Sequence, residues 1–229
     1  MNGGRVAWLV GAYLVGTFPS AYLVARVTGA TEVIAGARRG ASEGDAHVLI
    51  DKQVGKAWGA LAAASDVLKG LVYALIARYG ANLPAAWLGG LGVLLVTGHS
   101  FPFYLRAMAG RGLSAASGVL LALLPVGMVV AGVIIVIGHV TRATGPASTI
   151  GFALTPVVAV AQGAPGAIVV MSAAIFVVIL LRRLVGVSEA AAVTGWPRAM
   201  GRRLLFDADL PAGSPGRAAD PSRERPIQP

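Results

Sequence analysis

Apolar runs long enough to cross a bilayer recur along most of this chain, and no other feature constrains its fold as strongly. A transmembrane helix needs about 20 predominantly apolar residues. The first run covers residues 7–27, the second 56–79 and the third 83–105. The next, 113–140, is too long for one simple span and carries Pro125. Proline breaks or kinks a helix interior, so this run divides into a short fourth helix, 113–124, and a fifth, 126–140. A sixth covers 147–162 and a seventh 166–181. The expected fold is therefore all-α: a polytopic integral membrane protein of about seven transmembrane helices, with six as the rival count.

Charge asymmetry separates the two counts. With seven helices, one side of the membrane holds Arg26, Arg38, Arg39, Lys52, Lys56, Arg106, Arg111 and Arg142. It also holds eight arginines from Arg182 to Arg225. The other side has only Arg5 and Arg78. The positive-inside rule then places the N-terminus outside and the C-terminus in the cytoplasm. Merging the fourth and fifth helices would carry Arg142 and the basic tail outside, so seven is preferred.

Composition agrees. The chain has 229 residues, 56% of them hydrophobic and only 13% charged, about half the charged share of an ordinary soluble domain. Its net charge of +9 lies between apolar runs and in the tail. That distribution suits membrane topology and anionic lipid, not a nucleic-acid groove. There are no cysteines, which excludes disulfides, thiolate metal sites and a cysteine nucleophile. The N-terminal run lacks a convincing cleavage site and is read as a retained helix. Three regions are expected: a membrane domain over 1–187, a basic amphipathic surface segment over 188–206, and a disordered cytoplasmic tail over 207–229.

The chemistry concentrates in a few places. Gly110-Arg111-Gly112 forms a short basic loop between two apolar helices. Glycines let a backbone approach a ligand closely, and arginine brings a permanent cation with a planar donor fork. Next to a helix N-terminus, such a loop makes an anion cradle; otherwise its arginine only fixes topology and reaches to lipid headgroups. Asp66 and Lys69 lie three residues apart, on one helix face. Ionisable groups in a membrane pair or line a polar cavity, so they either support a site or form a self-satisfied ion pair. Thr17 and Ser20 flank Pro19 and offer hydroxyls to a ligand or to their own helix. His99 precedes the glycine loop and is suited to phosphate donation, proton transfer or plain packing. The spacing of His47, His99 and His139 suggests no metal site.

Taken together, Gly16-Thr17-Phe18-Pro19, a Gly/Ser-rich loop, Asp66-Val67-Leu68-Lys69-Gly70, and Gly98-His99-Ser100-Phe101-Pro102 leading to Gly110-Arg111-Gly112 resemble the bacterial acyl-phosphate:glycerol-3-phosphate acyltransferases. The resemblance covers about residues 10–186. It implies a seven-helix inner-membrane enzyme with a cytoplasmic active site and no cofactor, metal or coenzyme A. Its substrates would be acyl phosphate and glycerol 3-phosphate, and its product lysophosphatidic acid. The resemblance places the acyl phosphate at Gly110, Arg111 and Gly112. It assigns the glycerol phosphate to Arg38, Arg39 and Lys69, counts Ser42, His47, Thr17 and Ser148 as further substrate-binding residues, and leaves Asp66, Lys69 and His99 as catalytic candidates. The chain departs from the family at several points. Residues 40–50 lack the family's two asparagines and arginine, Arg111 stands for a lysine, and Phe176 and Ile179 occupy the places of a His and an Asn. An acceptor-altered or non-catalytic membrane homologue is the alternative implied by those losses.

Overall fold

The computed structural model describes residues 3–31, 50–52, 54–104 and 110–206, and these contain helices and no strand. Ten helices, named here in chain order, organise them. α1 (Gly3–Gly16) and α2 (Ser20–Val27) are followed by α3 (Lys56–Leu75), which runs on into a wider turn, Ile76–Gly80. Then come α4 (Ala85–Ser100), α5 (Leu113–Leu123), α6 (Pro125–Val140), α7 (Thr144–Ala161) and α8 (Gly166–Leu184). Two short helices, α9 (Val187–Thr194) and α10 (Trp196–Leu204), close the described chain.

Proline sets two of the boundaries. Leu124 is extended (φ −142°, ψ 62°) and Pro125 opens α6 in its first turn, where a missing N–H costs nothing and the residue before it is pushed out of the helical region. The expected division of 113–140 is thus found. The first apolar run is not one straight helix: Thr17 to Pro19 interrupt it, and α1 and α2 meet at a 42° bend. Gly80 ends the wider turn of α3, whose Ala81 N–H donates to the Ile76 carbonyl at 2.9 Å.

α3 (with its wider turn), α7 and α8 are each long and apolar enough to cross a membrane, and the bent pair α1–α2 makes a fourth candidate if taken as one span. α4, α5 and α6 are apolar but shorter, at 16, 11 and 16 residues. At 1.5 Å per residue, α5 reaches only about 16 Å, roughly half the hydrocarbon thickness. On α6, Val126, Val129, Val133, Val136 and Val140 are all exposed. Their spacing of three and four residues puts them on one face, which suits contact with lipid chains.

α4 is the central helix, with α1 and α8 packed against it, while α3 packs on α5 and α6 on α7. The closest crossings depend on glycine. A Cβ on Gly98 would overlap the Tyr13 carbonyl and lie 3.2 Å from the Thr17 nitrogen. One on Gly70 would lie 3.1 Å from the Val119 nitrogen, and one on Gly118 would lie 2.7 Å from the Leu71 nitrogen. Small residues at such crossings let helix backbones meet where no hydrophobic drive exists in lipid. Leu91, Leu95, Leu120, Phe152, Met171, Ile175 and Ile179 fill the interior between them.

The segment expected at 188–206 as a single amphipathic stretch consists of two helices, broken at Gly195 (φ +79°). They fold back on the bundle through two buried arginines. Arg183 donates from Nη2 to Ser148 Oγ (3.0 Å), and from Nη1 to the Leu204 carbonyl (2.8 Å) and to Thr149 Oγ1. Arg203 donates to the Val185 carbonyl at 3.0 Å. Hydrogen bonds from charged groups are worth about 1.5–3 kcal/mol each. Arg183→Ala is therefore expected to release α10, seen as loss of amide-exchange protection over 196–204 and faster tryptic cutting at Arg198. Unchanged protection would mean that Arg203 and the alanine contacts hold the hairpin without Arg183.

Candidate active site

The break between α1 and α2 creates the site's first requirement. Carbonyls at the end of α1 have no helical partner, and in a membrane interior such groups must be satisfied by protein. Lys69 of α3 does this, its Nζ donating to the Gly16 carbonyl (3.1 Å) and the Phe18 carbonyl (2.9 Å). The same ammonium forms an ion pair with Asp66 Oδ1 at 2.7 Å. Asp66 is buried and also accepts a hydrogen bond from Ser20 Oγ at 2.8 Å. Asp66 and Lys69 share one face of α3, as their spacing requires, and that face is turned to the break.

His99, at the C-terminal end of α4, joins the cluster. Its Nδ1 lies 3.0 Å from Lys69 Nζ and 3.6 Å from Asp66 Oδ1. Its other edge faces the glycine loop: a Cβ on Gly110 would overlap His99 Nε2 and come within 2.7 Å of Cε1. Gly110 can have no side chain without displacing this imidazole. On its other side, the Gly110 carbonyl accepts a hydrogen bond from Arg182 Nε of α8 at 3.4 Å, and the Arg182 guanidinium lies 5.9 Å from the Phe101 ring centroid.

Gly112 completes the loop. It has φ +90°, a backbone that side-chain-bearing residues rarely adopt, and a Cβ there would lie 2.7 Å from Ser100 Oγ. It caps α5, so Arg111 sits half-buried directly before a helix N-terminus. The positive end of the helix dipole and the cation act in the same place, which favours an anion.

The other residues expected at the site are distributed as follows. Thr17 donates its hydroxyl to the Leu14 carbonyl (2.7 Å), in its own helix, while its own carbonyl accepts from Tyr104 Oη. Ser148 donates to the Gly145 carbonyl and accepts from Arg183, in the docking of the C-terminal hairpin. Arg38, Arg39, Ser42 and His47 lie outside the described residues. Ile179 is fully buried beneath Gly112, its Cγ1 3.5 Å from the Cβ position there, and Phe176 packs against the core. Sequence reasoning did not single out Arg182, Tyr104 or Arg183. Arg182 carried one usable signal, being a cation at the end of the last apolar helix on the side assigned to Arg111.

The fold and this cluster define an integral membrane protein of helices, with ionisable groups drawn around a basic glycine loop. Residues 6–187 match the glycerol-3-phosphate acyltransferase family, and the chain belongs to it. It is 30% identical over 128 residues to the glycerol-3-phosphate acyltransferase of Geotalea daltonii, covering 56% of this chain and 62% of that one. It is 32% identical over 154 residues to the enzyme of that name from Pseudomonas putida, covering 65% and 77%. The matches span 58–62% of the length of four of these curated relatives. The fold is similar to the crystal structure of PlsY (YgiH), an integral membrane glycerol 3-phosphate acyltransferase, in its glycerol 3-phosphate form. That likeness has a TM-score of 0.70 at 23% identity and covers 85% of this chain and 94% of that one.

Proposed function

We propose that this chain transfers an acyl group from acyl phosphate to glycerol 3-phosphate, forming lysophosphatidic acid at the cytoplasmic face of a bacterial inner membrane. The observation that carries the reading is the convergence of His99, Arg182 and the α5 N-terminus on Gly110-Arg111-Gly112 in a chain of this family. The loop amides and Arg111 hold the phosphate of the donor. A hydroxyl oxygen of the acceptor attacks the acyl carbon, the new ester bond forms, the acyl–oxygen bond to phosphate breaks, and the hydroxyl proton passes to the departing phosphate. Inorganic phosphate leaves with its charge facing Arg111. Catalysis then comes from holding the two substrates together and from fixed positive charge at the leaving group. Arg38 and Arg39, with Ser42 and His47, bind the acceptor's phosphate in this reading. Asp66 and Lys69 hold the cluster in shape.

A second reading has its own observation. Ile179 makes the α8 wall beneath Gly112 apolar, and Phe176 of the same helix packs against the core, which favours an acceptor less polar than glycerol 3-phosphate. A radiolabelled acyl-transfer assay with purified protein and a panel of phosphorylated and neutral acceptors separates the two. Product with glycerol 3-phosphate supports the first, product only with a neutral acceptor supports the second, and no product with any acceptor removes both.

The topology belongs to the same proposal: seven spans, N-terminus outside, tail in the cytoplasm, with 1–187 as the membrane domain, 188–206 at its surface and 207–229 as a tail. Support comes from the way basic residues separate. Arg182 meets the glycine loop at one end of the bundle, whereas Arg78 donates to the Ala122 carbonyl, at the far end of α5, at 2.9 Å. Reporter fusions after Val140 and after Arg183 are expected to read cytoplasmic at both junctions. An external reading after Arg183 would contradict the count of seven.

A further inference from the structure

The surroundings of Lys69 determine which nitrogen of His99 carries the ring proton. An ammonium group has three hydrogens and no lone pair, so every neighbour at hydrogen-bonding distance must accept. Three neighbours are oxygens: Asp66 Oδ1 at 2.7 Å and the carbonyls of Phe18 and Gly16 at 2.9 and 3.1 Å. With a carboxylate in direct contact, Lys69 is the charged partner of a pair. The fourth neighbour, His99 Nδ1 at 3.0 Å, shares one of the three hydrogens with an oxygen, and still faces the ammonium as an acceptor. A proton on Nδ1 would point at the ammonium and place two donors head to head. Asp66 Oδ1 lies 3.6 Å from Nδ1, outside hydrogen-bonding range for such a proton. Nδ1 therefore presents its lone pair to Lys69, and the proton of the neutral ring resides on Nε2.

Nε2 is the edge turned to Gly110. We infer that Lys69 holds His99 as its Nε2–H tautomer, so that His99 is a fixed hydrogen-bond donor to a phosphate at the glycine loop and not a general base. The identity of that phosphate as the acyl donor's rests on the function proposed above; the position of the ring proton does not. Lys69 is on this account a positioning residue. Its charge is engaged by the helix break and Asp66, and it acts on the ligand through His99. A base needs an unprotonated nitrogen facing the reacting hydroxyl, and the only lone pair on this ring faces Lys69. The second shell that selects a histidine tautomer is usually a carboxylate or carbonyl fixing the N–H. Here a cation fixes the lone pair.

The test uses the full-length chain in lipid nanodiscs with its histidine rings labelled with nitrogen-15. His99→Gln identifies the His99 resonances among the three histidines. The expected spectrum has a protonated Nε2 and an unprotonated Nδ1. Inorganic phosphate is then titrated in, and the Nε2 signal is expected to shift while Nδ1 stays in place. A protonated Nδ1, or an Nε2 unmoved at saturating phosphate, would overturn the inference. Kinetics give an independent readout. In His99→Gln the amide nitrogen can reach toward the Nε2 position, so KM for acyl phosphate is expected to rise roughly 10-fold and by more than kcat falls. A kcat collapse of about 10²–10⁴-fold, the usual contribution of a general base, at unchanged KM would also overturn it. Failure of the wild-type chain to transfer acyl groups counts against the proposed reaction alone, because the ring-proton and phosphate spectra do not depend on turnover.

Discussion

Asp66→Ala is expected to destabilise the protein by about 3–5 kcal/mol, the usual consequence of removing one partner from a buried ion pair. Lys69 would be left beside the Gly16 and Phe18 carbonyls without its carboxylate partner, and Ser20 would lose its acceptor. The damage should appear first at the α1–α2 break, as faster amide exchange around 17–24. Thermal unfolding in detergent measures the global effect. The double variant Asp66→Leu/Lys69→Met is the informative control, since an apolar replacement of both partners removes the stranded charge. It should lose less stability than the two single changes combined. If Asp66→Ala alone shifts stability by less than about 1 kcal/mol, as for an exposed pair, the cluster is wetter or looser than the geometry requires.

The second large effect concerns Arg111. Removing one preorganised group facing developing charge typically costs about 10²–10³-fold in kcat, and Arg111→Ala is expected to fall in that range. Arg111→Lys should recover much of the loss, because a lysine returns the point charge while giving up the planar donor fork. Equal losses for Ala and Lys would mean that fork geometry, not charge, holds the donor. No loss in either would move the anion site away from the loop. Arg111 lies in the first residues before α5, so a folding defect is a lesser risk than at the buried pair.

Much of this arrangement was legible in the sequence because its causes are local. Pro125 divides the 113–140 run by removing a backbone donor and constraining Leu124. Asp66 and Lys69 share a face because three residues make most of a helical turn. The glycine loop could be read as an anion site because glycine spacing and a cation act within a few residues. What stayed hidden depends on tertiary pairing. Ser20 reaches Asp66 across 46 residues and Arg182 reaches Gly110 across 72, and no periodicity carries such information. Pro19 marks an interruption of the first apolar run from sequence alone, but the 42° bend and the groups that meet the carbonyls there, Lys69 on α3 and Tyr104, follow from tertiary pairing. The same lysine, a candidate for phosphate contact by its charge alone, is instead directed inward to the backbone. In the C-terminal segment, the docking of Arg183 onto Ser148 and Leu204 follows from where α7 and α8 end in space.

These placements change how the departures from the family are weighed. The loop keeps two glycines in tight positions, one against His99 and one against Ser100, so in the proposed reading the donor keeps its close backbone approach. In the same reading the replacements at Phe176 and Ile179 fall on the acceptor. Donor binding is therefore expected to be robust, and any change in reaction to show in which hydroxyl is acylated.

If this chain consumes acyl phosphate at the glycine loop as proposed, the stoichiometry of ester and phosphate will show it. Purified wild-type protein and Arg111→Ala are each given labelled acyl phosphate and glycerol 3-phosphate, and ester and inorganic phosphate are quantified together. The account predicts lysophosphatidic acid and phosphate in equal amounts for the wild type, with both falling on the order of 10²-fold in the variant. Ester formation that is unaffected by Arg111→Ala, or phosphate release with no ester from any acceptor, would contradict it.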